Sequence, residues 1–180
     1  MIGYAMCGSF CTLEKSLKTM RELRSLGYEL EPIMSEIVYS SDTRFGKSEY
    51  FKKSVTEICQ RPIIHSIIDA EPIGPKNYLD LLIIAPCTGN TLAKMANGIT
   101  DTSVTMAAKA QLRADKPVLI ALASNDALSA NLKNIAVMRQ KKNVYFSRSV
   151  MDDPITKPHS LVAEFTDIKE LVPKIIDLYK

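Results

Sequence analysis

The stretch LLIIAPCTGNTLAKMANG, residues 81–98, constrains the fold more than any other. Its apolar opening, residues 81–85, is too short for a helix and rich in branched side chains, so it predicts a buried strand. Pro86 is expected to stop that strand. Cys87, Thr88, Gly89, Asn90 and Thr91 then make a small polar turn, and residues 92–97 read as a helix closed by Gly98. A strand, a tight turn and a helix in this order place backbone N–H groups at the strand's carboxyl end. A helix start offers unpaired donors and a partial positive charge, which suits a phosphate. Thr88, Asn90 and Thr91 can add side-chain donors without charge. The plain alternative is one more strand-to-helix turn, capped by Thr88 or Asn90.

The rest of the chain repeats the alternation. Residues 2–6 form a short apolar strand, followed by a turn containing Cys7, Gly8, Ser9, Phe10, Cys11 and Thr12. Leu13, Leu17, Met20 and Arg24 share one face of the next helix, with Leu23 and Leu26 beside them, and Gly27 ends it. Residues 29–34 are the second strand and lead to Ser35. Residues 40–47, SSDTRFGK, read as a polar loop, 49–59 as a helix, and 61–75, with three prolines, as irregular. A helix over 102–113 is capped by Asp101 or Thr102. Residues 117–123 form a strongly apolar strand ending in the polar turn of Ser124, Asn125 and Asp126. A helix over 130–141, a strand over 143–146, a loop over 152–158 and a helix over 167–179 complete the chain.

This order predicts an α/β fold: a single-domain, doubly wound, Rossmann-like parallel sheet with helices on both faces. The domain is expected to span 1–180, with 159–180 a C-terminal helical segment packed on it. Ligands in such sheets bind at the carboxyl ends of the strands. Four small polar turns meet there: Gly8 to Phe10, Ser35, Cys87 to Thr91, and the turn after residue 123. Together they point to a nucleotide-like ligand.

With 180 residues and 46% hydrophobic side chains, the chain can bury a core of its own. Lys and Arg number 23 against 20 Asp and Glu, and no basic run is interleaved with aromatics, so a nucleic-acid surface is not expected. No apolar stretch reaches the roughly 18–20 residues of a membrane span, and nothing reads as a signal peptide. Cys7, Cys11, Cys59 and Cys87 form no CxxC pair and have no histidine cluster near them, which argues against a metal site. Free thiols fit a reducing, cytoplasmic setting.

The motif APCTGNTLAKMANGITD, residues 85–101, resembles the PASANT motif and its continuation in the homo-oligomeric flavin-containing cysteine decarboxylase family. Gly8 and Ser9 resemble that family's first flavin-phosphate turn, and ALASNDAL, residues 121–128, lies where it carries PxMNxxMW. The resemblance runs from Ile2 to about Lys141. It implies FMN held by the first turn and by residues 86–91, in trimers or multiples of them with the flavin near a subunit interface. It places the cofactor against Gly8, Ser9, Phe10, Ser35, Pro86, Cys87, Thr88, Gly89, Asn90, Thr91, Ser124 and Asn125. The decarboxylase apparatus itself is missing. The family's catalytic histidine falls at Pro72, His65 lies too far away to replace it, and only Asn125 survives of PxMNxxMW in a chain without tryptophan.

A closer likeness fits these departures. GSFCT, DTRFGK, AEPIGPKNYLDLLIIAPCTGN, MAAKAQLRADKPV, SNDALSANLKNI and DDPITKPHS are similar to the B-subunit family of dipicolinate synthases. That likeness implies oxidation of dihydrodipicolinate to dipicolinate with a partner A subunit, NADP on that partner, and the cytoplasm of a sporulating mother cell. A dicarboxylate substrate calls for a basic side chain, and Arg offers a bidentate fork. Arg44, in the DTRFGK loop beside Gly46, is preferred over Lys47, Lys76 and Arg113. Cys11 and Cys87 sit in the two flavin turns, as tuning thiols or as small fillers. Glu71, His65 and Asp126 are the possible general bases, and none stands out. Two other readings remain: a non-catalytic flavin-binding subunit and a phosphopantothenoylcysteine-type decarboxylase.

Overall fold

The computed structural model describes residues 1–179. β1 (Ile2–Met6) runs through a 3-10 turn at Phe10–Thr12 into α1 (Leu13–Ser25). Then come β2 (Leu30–Met34), α2 (Glu36–Ser40), α3 (Ser48–Cys59), α4 (Ile67–Ala70) and α5 (Ile73–Lys76). β3 (Leu81–Thr88), α6 (Gly89–Ala96), α7 (Ser103–Arg113), β4 (Val118–Ser124) and α8 (Leu132–Arg139) follow. The chain closes with β5 (Val144–Phe146), β6 (Ser149–Asp153), β7 (Lys157–Ala163) and, after a 3-10 turn, α9 (Ile168–Asp177).

The core of the sheet is parallel, in the order β2-β1-β3-β4, as the alternation predicts. Side chains alternate between its two faces. Leu81 and Ile83 join α1, α3 and α9 through Leu17, Val55 and Val172. Leu82 and Ile84 join α6, α7 and α8 through Leu92, Val104 and Met138. Strands buried on both faces read as unbroken apolar runs, which is why residues 81–85 and 118–123 are conspicuous in the sequence.

The outer edge of β4 departs from the expected pattern. Val118 to Ile120 pair in parallel with β5, but Ala123 and Ser124 pair antiparallel with Leu161 and Val162 of β7. β6 and β7 form an antiparallel hairpin in place of the expected loop over 152–158. Its turn is closed by Asp153, whose Oδ1 accepts from the backbone N–H groups of Ile155 at 3.1 Å and Thr156 at 3.0 Å. The segment 159–180 is therefore not a helical unit: residues 159–163 complete the sheet and α9 follows.

Other boundaries shift for local reasons. Pro86 does not end β3, which runs on to Thr88 past a register shift between Ile84 and Cys87. The Ala85–Pro86 peptide bond is cis. Two four-residue helices occupy the segment that reads as irregular, the first closed by a Ser66–Asp69 capping box. Leu26 lies past the end of α1 and is exposed. Thr102, not Asp101, caps α7, accepting from the Thr105 N–H at 3.1 Å.

Candidate functional site

A cavity of about 840 Å³ opens at the carboxyl ends of β1, β3 and β4, with the β6–β7 hairpin as one wall. Its size is that of a small-molecule or cofactor site. Three turns predicted from sequence converge on it. Gly8, Ser9, Phe10 and Cys11 come from the β1 turn, Thr88, Gly89 and Asn90 from the start of α6, and Ser124 and Asn125 from the end of β4.

α6 begins at Gly89, three residues earlier than expected. Thr88 is its N-cap, and its hydroxyl accepts from the Thr91 N–H at 3.2 Å. Asn90 is therefore a residue of the first turn and not the cap. Pro86, Cys87 and Thr91 are absent from the cavity lining. Cys87 is fully buried in β3, and Thr91 is buried behind the turn. Burial pushes the Cys87 thiol well above its ordinary value, and burial likewise pushes Cys7 up to about 11. Desolvation thus outweighs any helix-start effect, and both are inert fillers. Cys11, in contrast, is exposed and lines the cavity.

Ser35 is not among the cavity walls, but it stands at the same rim. Its N–H donates to the Met6 carbonyl at 3.0 Å, at the carboxyl end of β1. Its buried hydroxyl has no hydrogen-bond partner. A buried hydroxyl left unpaired in the protein is a donor in reserve.

The DTRFGK loop reaches the cavity through Arg44 and Phe45, with the guanidinium 4.8 Å from the ring centroid. Lys47, Lys76 and Arg113 do not line it. Arg113 instead crowds Gly74, where an added Cβ would meet its Nη2 at 2.6 Å. Of the possible bases, only Asp126 belongs to the cavity. His65 stacks on Tyr39, with ring centroids 3.8 Å apart, in a different cleft, and Glu71 ends α4.

The sequence reading missed a polar set. Asn131, Asn134, Asp152, Lys157 and Ser160 all line the cavity. Lys157 pairs with Asp152 at 2.7 Å across the hairpin. Asn131 and Asn134, three residues apart at the start of α8, share one helix face, a spacing that could have flagged them. Among the described residues no group of three or more His, Cys, Asp or Glu side chains is placed to hold a metal, and no helix is long and apolar enough to cross a membrane.

A family model described as Flavoprotein matches residues 1–180. The chain belongs to the flavoprotein family. It is a homologue of the dipicolinate synthase B subunit, being 40% identical to that of Bacillus subtilis over 98% of this chain and 86% of the relative. The crystal structure of the dipicolinate synthase B subunit from Bacillus halodurans superposes with a TM-score of 0.88 at 40% identity, covering 98% of this chain and 90% of that one. The FMN-dependent cysteine decarboxylase SpaF shares the fold at a TM-score of 0.74 and 18% identity, over 98% of this chain and 95% of its own. This flavoprotein thus has the family's fold, and its cavity wall includes Asp126, Asn131 and the Asp152–Lys157 pair of the hairpin.

Proposed function

We propose that this flavoprotein binds FMN in the cavity at the sheet's carboxyl edge. We propose further that it works with a dipicolinate synthase A subunit to oxidise dihydrodipicolinate to dipicolinate, NADP being carried by that partner. The observation that carries the reading is the convergence of three polar turns on one cavity of about 840 Å³, in a chain 40% identical to a dipicolinate synthase B subunit.

The residues present suit a flavin nucleotide. Gly8 lets the first turn pass close to α2, since a Cβ there would meet Ile37 Cγ2 at 3.1 Å. Ser9 and the unpaired hydroxyl of Ser35 offer donors to a phosphate. Thr88 to Asn90, Ser124 and Asn125 face the remainder of the cavity. Bound there, FMN would supply a two-electron acceptor for the hydride released when a dihydropyridine ring becomes aromatic. Arg44 is suited to grip a substrate carboxylate through its bidentate fork, and Lys157, steadied by Asp152, adds a second cation.

Assembly as a trimer or a multiple of it belongs to this reading and rests on the family resemblance; Ile37 and Tyr50 are exposed apolar side chains available to such contacts. The setting in this reading is the cytoplasm of the mother cell of a spore-former.

One observation favours a second reading. The cavity lining includes no histidine, and hydrogen bonds from Ser124 and Asn131 hold the Asp126 carboxyl below its ordinary range, which makes it a poor proton acceptor. In that reading the chain is a flavin-binding partner and the A subunit carries out the oxidation. Turnover of dihydrodipicolinate by the A subunit alone, and by the A subunit with this chain in flavin-loaded and flavin-free form, separates the two. The proposal expects turnover that depends on the flavin-loaded form, and equal rates in all three mixtures would refute it.

A further inference from the structure

Asp126 lies where an incoming anion would otherwise be welcome. Its carboxylate stands at the N-terminal end of α6: a Cβ added to Gly89 would come within 3.0 Å of Oδ1. Ser124 Oγ donates to Oδ1 at 2.5 Å, and Asn131 Nδ2 donates to both oxygens at 2.9 Å. Asn134 braces the arrangement, its Nδ2 donating to Asn131 Oδ1 at 2.8 Å. The Ser124 hydroxyl first, and then the Asn131 amide, hold the Asp126 carboxyl below its usual range. The chain therefore supplies its own negative charge to the start of α6. A phosphate or carboxylate brought to the same place would face a fixed like charge. Elsewhere on the lining, Arg44 has no ion-pair partner among the described residues.

We propose that Asp126 is a specificity-determining residue that fixes which way round a ligand lies. It reserves the α6 end of the cavity for an uncharged hydrogen-bond donor and turns anionic groups toward the Gly8 to Phe10 turn and Arg44. The inference rests on the flavin reading above and deepens it. Oδ2 receives one protein donor, so it keeps lone-pair capacity for an N–H or O–H of the ligand. The flavin phosphate and the substrate carboxylates then lie away from α6, and the uncharged part of the flavin meets Asp126.

Asp126→Asn keeps an acceptor for Asn131 and removes the charge. Binding of riboflavin and of FMN is read from flavin fluorescence, with inorganic phosphate titrated against bound riboflavin. Phosphate is expected to leave riboflavin bound to the native protein and to displace it from the variant. Riboflavin itself should bind the variant about tenfold more weakly, because a charge-assisted hydrogen bond is roughly twice as strong as a neutral one. Ser124→Ala, which removes a donor but keeps the charge, should remain insensitive to phosphate. That control separates lost charge from disturbed packing. Equal phosphate competition in native protein and Asp126→Asn would overturn the inference. So would a variant that binds FMN more tightly with riboflavin unchanged, since the phosphate would then lie beside residue 126. If the native protein binds neither flavin, the functional reading falls and this inference with it. Flavin binding without the charge effect removes this inference alone.

Discussion

Thr91 Oγ1 donates a hydrogen bond to Cys7 Sγ at 3.3 Å, joining the first turn of α6 to the end of β1. Thr88 Oγ1 in turn donates to Thr91 Oγ1 at 3.1 Å, so one chain of three side chains ties two cavity turns together from behind. Thr91→Val keeps the shape and removes the relay. It should cost about 1 kcal/mol in chemical denaturation, the net worth of one intramolecular hydrogen bond, and weaken flavin binding by loosening Thr88. Unchanged stability and unchanged affinity would show that the relay holds nothing in place.

Gly89 is needed for want of space. An added Cβ would clash with Ser124 Oγ and meet Asn131 Nδ2 at 2.5 Å. Its backbone is helical, so alanine would otherwise be favoured there. Gly89→Ala should therefore destabilise by about 1–3 kcal/mol, the range for an overpacked site, and lower flavin affinity at least as much as any single side-chain deletion in the cavity. Calorimetry of the flavin-free protein together with flavin titration checks both.

Ser16 of α1 donates to the Ala85 carbonyl at 2.6 Å, and both residues are fully buried. The bond satisfies a carbonyl just where β3 shifts register. Ser16→Ala should cost about 1–3 kcal/mol in denaturant unfolding, because it strands a buried acceptor. Ser25→Ala, at an exposed serine bonded within its own helix, should cost far less.

Stability should fall at both ends of the pH scale. Hydrogen bonds hold the carboxyls of Asp42, Asp69, Asp115, Asp126 and Asp153 below the usual range, the largest contributions coming from Ser48, Ser66, Asn143, Ser124 and Thr156 in that order. A depressed folded-state value means that the unfolded chain takes up protons first on acidification. The contribution is complete above about pH 4 and is lost as the pH falls through the lower folded values. Glu31 runs the other way, since burial raises it, but it is one group against five. At the alkaline end, burial pushes Cys7 to about 11 and Cys59 to about 12. Unfolded thiols ionise first, so stability should decline as the pH rises past about 8.5. Thermal unfolding across the pH range should trace a plateau between these limits, and a midpoint still rising below pH 4 would contradict the acid side.

Arg44 should govern the dicarboxylate more than the flavin. Arg44→Ala is expected to weaken dipicolinate binding about tenfold or more, and Arg44→Lys to recover only part of the loss, because lysine lacks the bidentate fork. Equal dipicolinate affinity in native protein and Arg44→Ala would remove Arg44 from the site.

Much of this fold was legible because its four central parallel strands are buried on both faces. Residues 2–6, 81–85 and 118–123 are apolar runs with no other use in a chain of this length, and the polar turns after them mark the cavity edge. Proline misled at one place: Pro86 reads as a strand stop, yet β3 passes through it. The hairpin was hidden for the opposite reason. Residues Met151, Asp152, Ile155 and Lys157 are exposed, so no buried face gives a period of two, and Pro154 and Pro158 suggest a loop. The cavity wall of Asp126, Asn131 and Asn134 is spread over a turn and a helix start, and only folding brings it to Gly89. Cys87 and Thr91 belong to a motif that reads as one turn, whereas burial divides it into wall and backing.

The central claim is that the sheet's carboxyl edge is a flavin site, and the most direct measurement is the small-molecule content released when the purified protein is denatured. The account expects FMN in near one-to-one ratio to the chain, or its uptake to that ratio when FMN is added, and much less of either in Gly89→Ala. A protein that is purified without flavin and takes up none when FMN is supplied would contradict it.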